Sequence, residues 1–157
     1  MKPAISPSDT TAYTATPSAA SLYDEGYYCS EAIVKFTCDL VEHPSSDALV
    51  RMATGFGAGV GRTQAMCGAL AGMVMAMGLL SGRSTADGPY LPSTDSTREL
   101  AARFEERHGT VSCADIVAAF GSMDGPGRHE HCREIVDSCA EWVRDIGQRE
   151  GWLPDTP

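Results

Sequence analysis

The chain is short of positive charge: twelve Lys and Arg stand against twenty-one Asp and Glu, a net −9, with a pI near 4.7. Binding to nucleic acid or to an anionic membrane surface runs on basic patches, so this balance argues against both partners. It also lacks a long hydrophobic span. The longest apolar run, Ala65 to Leu80, covers 16 residues and includes Gly68, Gly72 and Gly78, whereas a membrane helix wants about 20. No basic start followed by an apolar stretch marks the N-terminus as a secretory signal. Nor does any pair of cysteines form C-x-x-C, which removes the signatures of thioredoxin chemistry, zinc knuckles and ferredoxin runs. Serine–histidine–aspartate, paired-carboxylate and H-E-x-x-H arrangements are likewise missing. The expected setting is the cytoplasm, where thiols stay reduced and cysteines serve as ligands or redox centres more often than as structural disulfides.

What is present is enough apolar material for a core, 43% of 157 residues, and a helical pattern throughout. Residues 1–20, rich in Pro, Ser, Thr and Ala, read as a flexible arm; residues 21–150 as one helical domain; residues 151–157 as a tail. The spacing predicts a helix from about Ser21 to Val41, stopped at His43-Pro44, and a short one over Asp47–Met52. The most apolar helix follows over Ala65–Leu80. Ser96-Thr97-Arg98-Glu99 fits a capping box opening a helix through Arg107, ended by Gly109. Ser112-Cys113-Ala114-Asp115 fits a second box before Ile116–Phe120, and a last helix spans about Glu130–Gln148. No strand-like alternation persists, so the expected fold is an all-α bundle of about five helices, with a glycine-rich turn before a central apolar helix.

That turn, Gly55-Phe56-Gly57-Ala58-Gly59-Val60-Gly61, matches neither a dinucleotide loop nor a P-loop. It reads as a tight turn delivering the N-terminus of the central helix, where amide groups favour an anion or a thiolate. Cys67 sits at that start, where it is either a thiolate that the helix dipole favours or a small buried hydrophobe. Gly68, Gly72 and Ala76 form a small-residue stripe against which a backbone, a cofactor or a second copy in a homodimer could lie. Met66, Met73, Met75 and Met77 read as core filler.

The remaining cysteines are Cys29, Cys38, Cys113, Cys132 and Cys139. Cys132 and Cys139 lie about 10.5 Å apart along one helix, too far for a disulfide, and Cys29 and Cys38 point to opposite sides of theirs. At most one of each pair joins a common centre. His129 and His131 flank Cys132 and are candidate ligands or donors, or simply a polar helix start. Glu31 is a candidate partner of Cys29 or a solvated carboxylate. His43 and His108 read as helix ends near solvent.

The segments Cys29-Ser30-Glu31-Ala32, Gly55 to Gly59, Cys67 to Gly72 with Met77-Gly78-Leu79, Phe104 to Cys113, and Cys132 to Val136 together resemble the C_GCAxxG_C_C family of small, mostly helical redox proteins. The resemblance covers roughly residues 22–146. It implies that Cys29, Cys67, Cys113 and Cys132 are the working set, and that Cys38 and Cys139 are not required. A related domain occurs in split-Soret cytochromes, whose cysteines are proposed to hold an iron–sulfur centre; without Cys-x-x-Cys-His, covalent haem is not implied here. The expected function is therefore redox chemistry on an iron–sulfur cluster held by these four thiols, for electron transfer with a redox partner protein or for redox sensing. The alternatives are a metal-free thiol–disulfide oxidoreductase with Cys67 as nucleophile and Cys29 or Cys113 resolving, a structural zinc site, and a binding module with cysteines in its core.

Overall fold

Helix α4 of the computed structural model, Gly68–Ser81, is the apolar axis on which the other elements pack; the structure describes residues 16–155. Before it come α1 (Ala19–Asp24), α2 (Cys29–Leu40), α3 (Ser46–Ala53) and a 3-10 turn over Thr54–Phe56. After it come α5 (Leu91–His108), α6 (Cys113–Ala118) and α7 (Arg128–Arg149). Among the described residues there is no strand, only a bridge between Met66 and Ser112, so the fold is all-α with five helices of eight residues or more. Most of residues 1–20 lies outside the described residues; Ala19 and Ala20 themselves open α1 and are buried.

Because α4 is apolar on nearly every side, α2, α5 and α7 can all bury faces against it. Phe36, Phe104, Ile33, Met73, Met77 and Leu100 meet there with essentially no exposure, each contributing about 1.5–3 kcal/mol on burial. The small-residue stripe is where α2 crosses. A Cβ on Gly72 would sit 3.0 Å from the Ser30 carbonyl and 3.1 Å from the Ile33 Cβ. Ser30, wholly buried at this crossing, donates its hydroxyl to the Ala53 carbonyl at 2.8 Å and ties α3 to α2.

Several boundaries differ from the sequence reading. The helix expected over Ser21–Val41 is two, because Gly26 takes φ +108° and turns the chain between α1 and α2. Ser96 does not cap a helix; it is buried inside α5, which begins five residues earlier at Leu91. Pro92 sits in that first turn, where its missing N–H has no partner to lose. The central helix starts at Gly68 rather than Ala65, since residues 64–67 are committed to pairing with 111–114. The second box holds: Ser112 Oγ accepts the Asp115 amide and opens α6. At the far end Leu153 folds back on Gly147, where any Cβ would stand 2.6 Å from the leucine Cδ1.

Candidate functional site

Four cysteines from four different elements meet around one cavity of about 250 Å³. Cys29 is the first residue of α2, Cys67 caps α4, Cys113 is the first residue of α6, and Cys132 is the fifth of α7. Ile116, Val117, Met123 and Ile135 supply apolar wall, and Arg62, Arg128 and His129 stand at the same cavity. Cys67 and Cys113 are placed together by backbone pairing. The Cys67 amide donates to the Val111 carbonyl at 2.8 Å, the Cys113 amide to Ala65 at 2.6 Å and the Ala114 amide to Gln64 at 2.9 Å. Cys29 comes close to α4 because Gly68 has no side chain; a Cβ there would lie 3.4 Å from the Cys29 Cβ.

All six cysteines are free thiols. Burial pushes the Cys29 thiol up, and its neighbours Cys67, Cys132 and Cys113 push it further, since each would add like charge. Cys67 is pushed up to about 11 by burial, against the lowering influence of the Ala69 and Leu70 amides at the start of α4. Cys113 and Cys132 are raised for the same first reason. Of the two readings of Cys67, burial favours the buried thiol: loss of solvent outweighs the helix amides. As folded, the cluster of thiols is neutral at ordinary pH.

The cavity wall between the 3-10 turn and Cys67 is wound the wrong way. Ala58, Gly59, Val60, Gly61 and Arg62 all have positive φ, from +50° to +76°, and Gln64 follows at +60°. Left-handed winding costs about 1–2 kcal/mol for each residue with a Cβ, and a β-branched residue there is a true outlier. The turn is held by the Gly61 amide on Gly55 at 2.8 Å, the Arg62 amide on Gly57 at 3.0 Å and the Ala65 amide on Gly59 at 3.0 Å. Val60 is 40% exposed and packs little. Val60→Gly should therefore stabilise the protein by about 0.5–1 kcal/mol, after the greater chain entropy of glycine is subtracted. A urea midpoint unchanged or lower would show that the winding carries no strain.

The other candidates fall away from the cavity or find different work. Cys38 packs with Val34 and Ala53 on the far side of α2. Cys139 is fully buried beneath the site and feels Cys67 and Cys29, yet does not line the cavity. Glu31 accepts the Tyr28 amide at 2.8 Å and the Thr54 hydroxyl, so it caps α2 and does not serve Cys29. His129 lines the cavity, but its Nε2 is 3.0 Å from Asp24 Oδ1. His131 packs at a tilt against Phe120, ring centroids 5.1 Å apart. His43 Nδ1 accepts the Ser45 amide in an exposed turn. His108, expected near solvent, is half-buried between Phe104 and Trp142. Two cavity residues had no signal in the sequence, Tyr23 and Arg128, which are 105 positions apart and joined by a 2.8 Å hydrogen bond.

The four cavity thiols fall within residues 27–146, which match the model of a family described as "Putative redox-active protein (C_GCAxxG_C_C)". The chain belongs to this family. Its C_GCAxxG_C_C membership and the convergence of Cys29, Cys67, Cys113 and Cys132 rest on separate observations. No curated protein and no solved structure matches the chain. Among the described residues no helix is long and apolar enough to cross a membrane, and no three His, Cys, Asp or Glu side chains converge to grip a single ion.

Proposed function

We propose that Cys29, Cys67, Cys113 and Cys132 hold an iron–sulfur cluster and that the protein relays single electrons between carrier proteins. The observation that carries this is the ring of four thiols around one shared cavity. The donor set is entirely thiol, the set that iron–sulfur clusters take. When bound, the cluster would supply a site able to gain and lose one electron.

The protein's part is to hold that site. Loading would displace the protons that burial keeps on the four sulfurs. The amides of Ala69 and Leu70 would then face a Cys67 thiolate and offset its charge. Ile116, Val117, Met123 and Ile135 would limit water. The electron comes from a reduced one-electron carrier protein and leaves to an oxidised one; a net charge of −9 favours carriers with a basic docking face.

The metal-free thiol–disulfide reading is weakened by the raised pKa of Cys67, because the thiolate is the nucleophile. The deciding measurement is iron and acid-labile sulfide analysis of anaerobically purified and reconstituted protein, with its visible spectrum. Iron with matching sulfide and a brown colour is expected. Zinc alone, or a colourless protein with titratable thiols after reconstitution, would overturn the proposal.

A further inference from the structure

The four-thiol cavity opens to solvent on one side: Cys67, Cys113 and Cys132 are buried, whereas Gly26, Arg62, Asp124 and His129 in the same lining are exposed. The charged groups at this opening do not balance. Arg98, Arg103, Arg133, Arg144 and Arg149 each stand 2.7–3.9 Å from a carboxylate. Among the described residues neither Arg62 nor Arg128 has a carboxylate within ion-pair distance. His129 is met by Asp24 at 3.0 Å, and Asp124 is the one carboxylate among the described lining residues. Arg128 is fixed by neutral partners: Nε donates to the Met123 carbonyl at 2.6 Å and Nη1 to the Tyr23 hydroxyl at 2.8 Å. These bonds hold the guanidinium charge at the wall and cancel none of it. Arg62 is held by its backbone, left-handed at φ +66° with its amide on the Gly57 carbonyl at 3.0 Å. Glycine, which stands at 59 and 61, adopts that conformation freely; the turn keeps a strained arginine at the opening instead.

We infer that the opening of this cavity is a binding site for a small oxyanion, a phosphate or a carboxylate, received between Arg62 and Arg128. A planar guanidinium offers paired N–H donors that match two oxygens of such an anion. Two guanidiniums beside a single aspartate leave the opening positive within a chain of net −9. The apolar wall of Ile116, Val117 and Met123 limits the screening of that charge and focuses its field on the opening. The thiols further in do not supply the missing counter-charge, since burial keeps them protonated. An anion held there stands between solvent and the sulfurs, so it shields them. The inference does not rest on the iron–sulfur reading: it concerns the rim of the cavity and holds for the metal-free chain.

The test labels the cavity thiols of the metal-free full chain with two methanethiosulfonates of similar size, one carrying a sulfonate and one a trimethylammonium group. Each thiol displaces methanesulfinate and forms a mixed disulfide, and peptide mass spectrometry gives the rate at each cysteine. The ratio of anionic to cationic rate, referred to a free thiol in solution, reports the charge of the opening. Arg62→Gln should lower that ratio about fivefold, and Arg62→Lys should keep it. Arg83→Gln makes the same change in net charge away from the cavity, where Arg83 lies over Tyr90, and should leave the ratio alone. Inorganic phosphate and acetate are then added separately in the millimolar range, with ionic strength held constant by chloride. Saturable protection of wild type from both reagents, lost in Arg62→Gln, is expected, and whichever anion protects at lower concentration names the class. Equal ratios in Arg62→Gln and Arg83→Gln, absence of protection by either anion, or protection that persists in Arg62→Gln would each overturn the inference. The iron analysis decides the iron–sulfur reading separately.

Discussion

Replacing any one of Cys29, Cys67, Cys113 or Cys132 by serine should abolish iron, sulfide and visible absorption together. The four thiols face one cavity, and a hydroxyl, nearly the same shape, is a poor ligand for the soft metal sites that thiolates select. The effect is expected to be all-or-none in signal while the apoproteins stay folded, because each substitution is almost isosteric. Cys38→Ala and Cys139→Ala should keep the full signal, since one side chain lies on the far side of α2 and the other beneath the cavity. Cys139 has no exposure, so its truncation should still cost about 1 kcal/mol of stability. Retention of iron in any of the four serine variants would remove that residue from the set. Loss of iron in Cys139→Ala alone would make the deeper thiol a ligand.

Gly59→Ala is expected to damage both stability and the candidate site. Gly59 has φ +76°, and a Cβ built on it lies 2.7 Å from both the Cys113 Cβ and the Gln64 Cα and 2.8 Å from the Ala65 nitrogen. Two of those three atoms are backbone and cannot rotate away. Left-handed strain of about 1–2 kcal/mol and overpacking of about 1–3 kcal/mol should together lower stability by about 3 kcal/mol. In a chain of this size that is roughly 10 °C of melting temperature. The displacement would also fall on Cys113, so iron loading should suffer with it. Gly55→Ala, where a Cβ meets nothing within 4 Å, should change stability by less than about 0.5 kcal/mol. Equal denaturation midpoints for the two alanine variants would refute the packing argument.

The parts of this fold that were legible in the sequence are those governed by local rules. The apolar run predicts α4, and the 3.6-residue spacing of Ile135, Val136, Trp142, Val143 and Ile146 predicts α7. Ser112 and Asp115 mark the start of α6 correctly because a cap is a contact between residues three apart. The same rule failed at Ser96, where a helix had already begun upstream at a proline that reads equally well as loop. The choice of four cysteines out of six came from resemblance, and spacing agreed without deciding it. What could not be read was anything set by desolvation or by distant contact. The dipole argument for Cys67 has the right sign, and burial still outweighs it. Tyr23 and Arg128 meet only because α1 packs along α7.

The arrival of each thiol on a different helix has a consequence for how such a protein is made. During synthesis Cys29, Cys67, Cys113 and Cys132 emerge in that order, with at least one helix between each and the next. No fragment that stops short of Cys132 can offer the full set. The left-handed turn and the pairing of residues 64–67 with 111–114 further require that the two halves of the chain have already met. A delivery system handing over metal and sulfide would therefore face a finished apoprotein with protonated, sheltered thiols. Under the proposed iron–sulfur reading, loading would then report whether the chain has folded through Cys132.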